Sequence, residues 1–356
     1  MESTVQKKNL PLVYYRMPHE KDVWFIQGEC APLEIDSLQN VPSTPGFILY
    51  PGVASSSNPL FIQTDKQIRM PLEDLYAASL DTAEIWKLQS LPTNEASIAK
   101  EEYCKKVANA VELISSGELQ KVVLSRIKNI QGITPENPLK IFYELCNKYP
   151  AAFVSLVYIP GNLLWITATP ELLISANKNE IKTVSLSGTK PVNNTDGWGE
   201  KEKTEQKIVT DYISQVLGED CENIRISTPE EVIAGNVKHL KTSFSATLKI
   251  DLWSLVSKLH PTPAVCGFPL NKAKHFIEQT EGYDRKYYTG FLGLYNVEGK
   301  TDLFVNLRCA ELFANGVNLY VGGGITKDSI PNAEWEETEL KAKTLLFAFE
   351  KIKHEA

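Results

Sequence analysis

Two acidic stretches carry residues whose type and spacing could do chemistry. "EKEKTEQKIV" holds Glu202 and Glu205, and "NAEWEETELKAK" holds Glu334 and Glu337, with Lys341 four residues after the second glutamate. Side chains three and four apart are neighbours on a helix, and on an exposed face such a pair contributes only ~0.2–0.5 kcal/mol. A solvated helix face is one reading. The other is that two helices, each presenting a carboxylate pair, converge on one hard divalent cation, because Mg²⁺ takes a few carboxylate oxygens and completes its shell with water and substrate. A di-iron centre would need Glu-x-x-His pairs, and neither stretch has the histidine. A third stretch, "LYVGGGITKDS", places Gly322, Gly323 and Gly324 at the end of an apolar run. It matches neither G-x-G-x-x-G nor the P-loop, so no dinucleotide site is expected. The glycines either make a tight turn or let the backbone approach an anion closely.

These residues need a scaffold, and the composition supplies one. With 356 residues, 43% hydrophobic and 23% charged, the chain can bury a large core and is not disordered. A formal charge of −7, from 37 basic and 44 acidic side chains, argues against nucleic acid or an anionic membrane as main partner. An anionic small molecule fits a local cationic pocket. No secretory h-region and no run of ~18 apolar residues is seen, so a cytoplasmic protein is expected. Six cysteines without a C-x-x-C pair read as reduced core thiols, not as metal ligands or disulfides.

Residues 1–92 show short apolar runs ("VWFIQ", "FILYPGV", "LFIQ") broken by Pro, Gly and Ser, the pattern of strands and loops. From 94 to 116 apolar residues recur at Tyr103, Val107, Val111 and Ile114, predicting a helix capped near Gly117. The strand "KVVLSRIKNI" follows, then a helix over 138–149 and the strands "AAFVSLVYI", "LLWITA", "ELLISA" and "IKTVSLSG". A polar helix over 200–216 turns Ile208, Val209 and Ile213 inward. Further strands lead to a last helix over 333–353. Runs of strands without strict βαβ alternation indicate an α+β protein, a single large domain of mainly antiparallel sheets flanked by helices. Residues 1–92 are expected to be a strand-rich part of the same domain and 93–356 its catalytic region.

Between about residues 94 and 345, "KVVLSR", "TPELLI", "LSGTKP", "EKEKTEQKIV", "LHPTPAVCGFP", "DRKYYTGFLG", "LFVNLRCAEL" and "GGGI…EWEETELKAK" occur in the order found in the chorismate-binding enzymes. Together they resemble the isochorismate synthases within that family; the first ninety residues match only loosely. The resemblance implies the chorismate-utilising fold and a Mg²⁺ ion held directly by Glu205 and Glu337, with Glu202 and Glu334 supporting through waters. Arg308 and Lys341 would make charge-assisted bonds to the substrate's carboxylates, supplemented by the amides of Gly188, Gly322 and Gly324. Thr189, His239, Ala264, Val265 and Tyr288 would face chorismate, and His260 would lie near the reacting hydroxyls.

Lys121 resembles the general base that activates water in the branches that do not use ammonia, and Glu171 the general acid. In aminodeoxychorismate synthases a lysine stands where this chain has Ser187, and isochorismate synthases usually have alanine there. The implied reaction is a reversible hydroxyl exchange, with water added at C2 and the C4 hydroxyl lost, feeding menaquinone or siderophore biosynthesis. No glutaminase subunit is implied, and a monomer is expected. Salicylate synthase, which shares the lysine and goes on to eliminate pyruvate, is not separated from this reading by sequence.

Overall fold

Strand Leu12–Arg16 reads LVYYR, and all five residues are buried. Such a run has no solvent face. Its alternate side chains go to two different cores: Leu12 and Tyr14 pack with Phe142, Leu145 and Phe349 of two helices, while Val13 and Tyr15 pack with Phe47, Leu49 and Phe304 of a second sheet. The period-2 geometry of a strand allows this when both faces are covered. A computed structural model describes residues 10–33, 41–79, 86, 97–132 and 138–355, and their architecture follows from this pattern: helices, sheet, sheet, helices.

Seven helices occur among the described residues: α1 (Leu72–Ser79), α2 (Lys100–Ser115), α3 (Pro138–Lys148), α4 (Glu200–Asp220), α5 (Leu252–Leu259), α6 (Leu270–Thr280) and α7 (Pro331–Glu355). Among the described residues the first sheet has nine strands. At its functional end Gly267–Phe268, Lys121–Gln131, Gly316–Ile325 and Cys309–Phe313 lie side by side, and at its other end are Phe153–Ile159, Leu12–Arg16, Asp22–Gln27 and Lys66–Pro71. The second sheet has ten among the described residues, including Val237–Leu248, Glu180–Pro191, Leu172–Asn177 and Lys300–Val305 side by side. Every adjacent pair is antiparallel within the registers observed, as in Gly322↔Ser125 and Gly324↔Val123.

The strands before residue 72 are divided between the two sheets. Leu12–Arg16 is paired on one side with Asp22–Gln27 and on the other with Phe153–Ile159, whereas Gly46–Tyr50 is paired with Leu60–Gln63 and with Phe291–Val297. The boundary expected at 92/93 lies outside the described residues, but strands on both sides of it share one sandwich. The α+β, antiparallel expectation is met. The helix expected over 94–116 is seen as α2, and 94–96 are outside the described residues. Ser116 and Gly117 close it, Gly117 at φ +82°. Three helices were not expected from the sequence: α5, α6 and, within the stretch read as strands and loops, α1. Asp251 caps α5 by accepting from the Ser254 amide at 3.0 Å, a local signal that the preceding strand pattern overshadowed. No helix among the described residues is long and apolar enough to cross a membrane.

Candidate active site

The three glycines are not a turn. They lie within strand Gly316–Ile325, paired with Leu124 and its neighbours, and each leaves room that another group fills. A Cβ on Gly324 would stand 2.2 Å from Glu205 Oε1 and 2.9 Å from Lys121 Cε; one on Gly323 would stand 3.3 Å from Glu334 Oε2 and 3.4 Å from Glu337 Oε1; one on Gly322 would meet the Tyr288 hydroxyl at 2.7 Å. The bare strand therefore brings residues of α4, α7 and the 285–289 turn against one another.

Each carboxylate of the cluster meets a lysine. Lys121 Nζ, fully buried, donates to Ser187 Oγ and pairs with Glu205 Oε1, both at 3.1 Å. Lys201 pairs with Glu334 at 2.5 Å, and Lys341 pairs with Glu337 at 2.7 Å while donating to the Gly322 carbonyl at 2.8 Å. Burial alone would raise Glu205, yet Lys121, Lys201 and Lys341 together hold it down at about 2. Glu334 behaves oppositely. Burial and the neighbouring Glu337 charge lift it to about 7 in spite of Lys201, and its Oε2 is buried without a hydrogen-bond partner. Glu202 stands apart, because its carboxylate accepts from the Gly199 amide at 2.9 Å and caps α4.

A cavity opens between these groups and the second sheet, lined by Glu171, Ser187, Thr189, His239, Tyr288 and Arg308 among others, with Ala264, Val265, Gly322, Gly324 and Lys341 completing the wall. Glu171 is 3% exposed. Burial pushes its carboxyl up to about 8, against the pull of Lys121, Lys341 and Arg308, so at neutral pH it holds a proton it can give. His239 is held by three partners: Nδ1 lies 3.1 Å from the Gly188 carbonyl and 3.2 Å from Thr189 Oγ1, and Nε2 lies 3.2 Å from Arg308 Nη2. Since a guanidinium only donates, Nε2 accepts and the proton sits on Nδ1. Burial, Arg308 and Lys341 lower this histidine to about 3, so the ring is neutral. Arg308 sits at φ +50°, a left-handed backbone that costs a non-glycine residue about 1–2 kcal/mol. Such strain is retained where the surroundings fix a side chain for use.

The residues singled out in the sequence therefore meet, with four differences. Lys121 stands just behind the cavity wall, its amine held by the lining residues Ser187 and Glu205. Gly188 is not in the wall; its carbonyl orients His239. Glu202 serves as a helix cap. His260 is not among the residues that line this cavity; its ring is edge-on to Tyr50 and Phe291 and kept neutral by burial. Two participants were missed. Lys201 is hidden in the alternating charges of "EKEKTEQ", where spacing does not say which lysine turns inward. The other is the buried pair Glu281–Arg285, at 1% and 0% exposure. Arg285 holds both Glu281 oxygens (2.7 and 2.6 Å), the carbonyls of Val123 and Val265, and the Thr289 hydroxyl. Val123, Val265 and Thr289 all line the cavity.

Residues 60–350 match the family model described as chorismate binding enzyme. The chain belongs to the chorismate-binding enzymes. Isochorismate synthase EntC of Escherichia coli (strain K12) is 30% identical over 256 residues, 68% of this chain and 66% of that protein, so the match spans just under two thirds of the relative's length. Component 1 of anthranilate synthase from Saccharolobus solfataricus is 29% identical over 266 residues, 70% of this chain and 62% of that protein. Among solved structures, the 2,3-dihydroxybenzoate-specific isochorismate synthase DhbC of Bacillus anthracis superposes with a TM-score of 0.79 at 24% identity, covering 96% of this chain and 97% of that one. At that identity the superposition speaks to the fold: this chorismate-binding enzyme has the two-sheet architecture of its relatives.

Proposed function

We propose that the protein is an isochorismate synthase, an isomerase that interconverts chorismate and isochorismate. The observation that carries this reading is Glu171, a buried carboxyl protonated at neutral pH that faces Arg308, Lys341 and His239 across one cavity. A general acid needs a proton available at the working pH. The exchange forms a C2–O bond and breaks the C4–O bond while the ring double bonds shift. In its neutral form Lys121 takes a proton from the attacking water and becomes the ammonium that pairs with Glu205, and Glu171 gives one to the departing C4 hydroxyl, which leaves as water. In reverse the two exchange roles. Arg308 and Lys341 bind carboxylate, and neutral His239, fixed by Gly188, adds no further charge.

The donor set fits a divalent cation. Glu334 Oε2 is a buried oxygen without a partner beside the like-charged Glu337, an arrangement that a cation relieves. Among the described residues no three such side chains form a ready cage, because each carboxylate is turned to a lysine. A site with two protein carboxylates suits Mg²⁺, which keeps waters and takes oxygens from its substrate. Glu205 and Glu337 would hold it, with Glu334 supporting, and when bound the ion neutralises a substrate carboxylate. A cytoplasmic protein acting on chorismate without a glutaminase subunit, and as a monomer, goes with this reading.

The branch is tested by incubating the protein with chorismate, Mg²⁺ and ¹⁸O-labelled water in the absence of ammonium. Isochorismate labelled at C2 is the expected product. An amino product that requires ammonium would sink the reading, and pyruvate with salicylate would replace it by salicylate synthase.

A further inference from the structure

A second cavity adjoins the first. It has a volume of about 330 Å³, against about 70 Å³ for the catalytic one, within the range of roughly 300–1,000 Å³ that small-molecule sites occupy. The end of α3, the turn joining strands Glu230–Ala234 and Val237–Leu248, and Thr344 of α7 enclose it. Most of the wall is apolar, from Pro150, Ala152, Ala168, Ile233 and Ala234; the charged side chains are both cationic, Lys148 and Arg308. Tyr149, 9% exposed, also lines it, and its buried hydroxyl has no hydrogen-bond partner. Leaving such a donor unsatisfied is unfavourable, and an acceptor brought to this wall would satisfy it.

Arg308 belongs to both chambers. Its Nη1 donates to Thr344 Oγ1 at 3.0 Å, and Thr344 lines the outer chamber; its Nη2 lies 3.2 Å from Nε2 of His239, which lines the inner one. Two cations and a spare hydroxyl in an apolar shell exclude a cation as occupant. They suit one carboxylate on a compact ring.

We propose that the outer chamber binds a compact cyclic carboxylate between Lys148, Tyr149 and Arg308, and that it is the waiting position from which the substrate passes Arg308 into the catalytic cavity. The second half rests on the activity proposed above; the first does not. The guanidinium offers one edge to the carboxylate outside and the other inside, so a bound anion changes chamber without losing its counter-charge.

The test uses 4-fluorobenzoate, a ring carboxylate with no hydroxyl to exchange, titrated by fluorine NMR into wild type, Ala234→Trp, which fills the chamber, and Tyr149→Phe, which removes only the unpartnered hydroxyl and leaves the packing intact. A saturable phase in the wild type should disappear in Ala234→Trp and weaken severalfold in Tyr149→Phe. Identical titrations in all three proteins, or no saturable phase, overturn the site. In parallel, kcat/KM for chorismate should fall at least tenfold in Ala234→Trp; an unchanged kcat/KM overturns the waiting position. If wild type does not turn over chorismate at all, the proposed activity fails while the fluorobenzoate result still decides the site.

Discussion

Replacing Glu171 by glutamine keeps the side chain's shape and removes its proton. In the wild type burial lifts this carboxyl from an ordinary 4.5 to about 8, with Lys121, Lys341 and Arg308 pulling the other way. At 1.36 kcal/mol per pH unit, that displacement corresponds to about 5 kcal/mol in order of magnitude. The sign follows from proton linkage. Between pH 4.5 and about 8 the folded protein keeps a proton that the unfolded chain releases, so the neutral carboxyl's contribution is complete below 4.5 and is lost as pH rises through 8. Glutamine has no such proton to lose. Measured by urea unfolding at constant m, the stability of Glu171→Gln relative to wild type should rise by several kcal/mol between about pH 5 and about pH 9. Glu334 also titrates in this window, but it is present in both proteins and cancels in the difference. The same variant should lose roughly 10²–10⁴ in kcat at neutral pH, and wild-type turnover in the direction that needs a protonated Glu171 should decline above about pH 8. A stability difference that stays flat across that range would refute the claim that Glu171 is held protonated, and with it the acid role.

Gly324→Ala should abolish turnover, because the added methyl would stand 2.2 Å from Glu205 Oε1 and must displace the carboxylate or the strand; calorimetric Mg²⁺ titration should show metal affinity falling with it, and normal binding would count against Glu205 as a ligand. Arg285→Met should destabilise the fold by about 3–5 kcal/mol, since it strands the buried Glu281 charge, and adding Glu281→Gln should restore part of the loss in urea unfolding; strictly additive losses would mean that the two residues act independently.

How much of this was legible depends on whether a residue's partner is near it in the chain. The Glu334–Glu337–Lys341 series could be found because helical spacing fixes neighbours, and the strands could be found because burial on both faces produces unbroken apolar runs such as LVYYR. Spacing does not encode which lysine meets which carboxylate. Lys121 and Glu205, or Lys201 and Glu334, are joined only by the crossing of α4, α7 and the bare glycine strand. The family motifs alone pointed to Lys121 and Glu171 as the proposed base and acid, since neither has any local pattern that distinguishes it from an ordinary charged residue. His260 sits within a matching motif, yet its ring packs on Tyr50 and Phe291, contacts set by two paired strands, one of them far earlier in the chain and the other after it.

The division of the first strands between two sheets bears on how the chain is made. Leu12–Arg16 and Gly46–Tyr50 each find one neighbour nearby in the chain, but their second neighbours, Phe153–Ile159 and Phe291–Val297, are synthesised much later. At about 5–20 residues per second, the interval from residue 50 to residue 291 lasts roughly 10–50 s. During that time the emerging protein carries apolar strands with unpaired edges, which are templates for association with other chains. Slowing elongation after residue 50 should therefore increase the insoluble fraction on overexpression more than slowing it after residue 297.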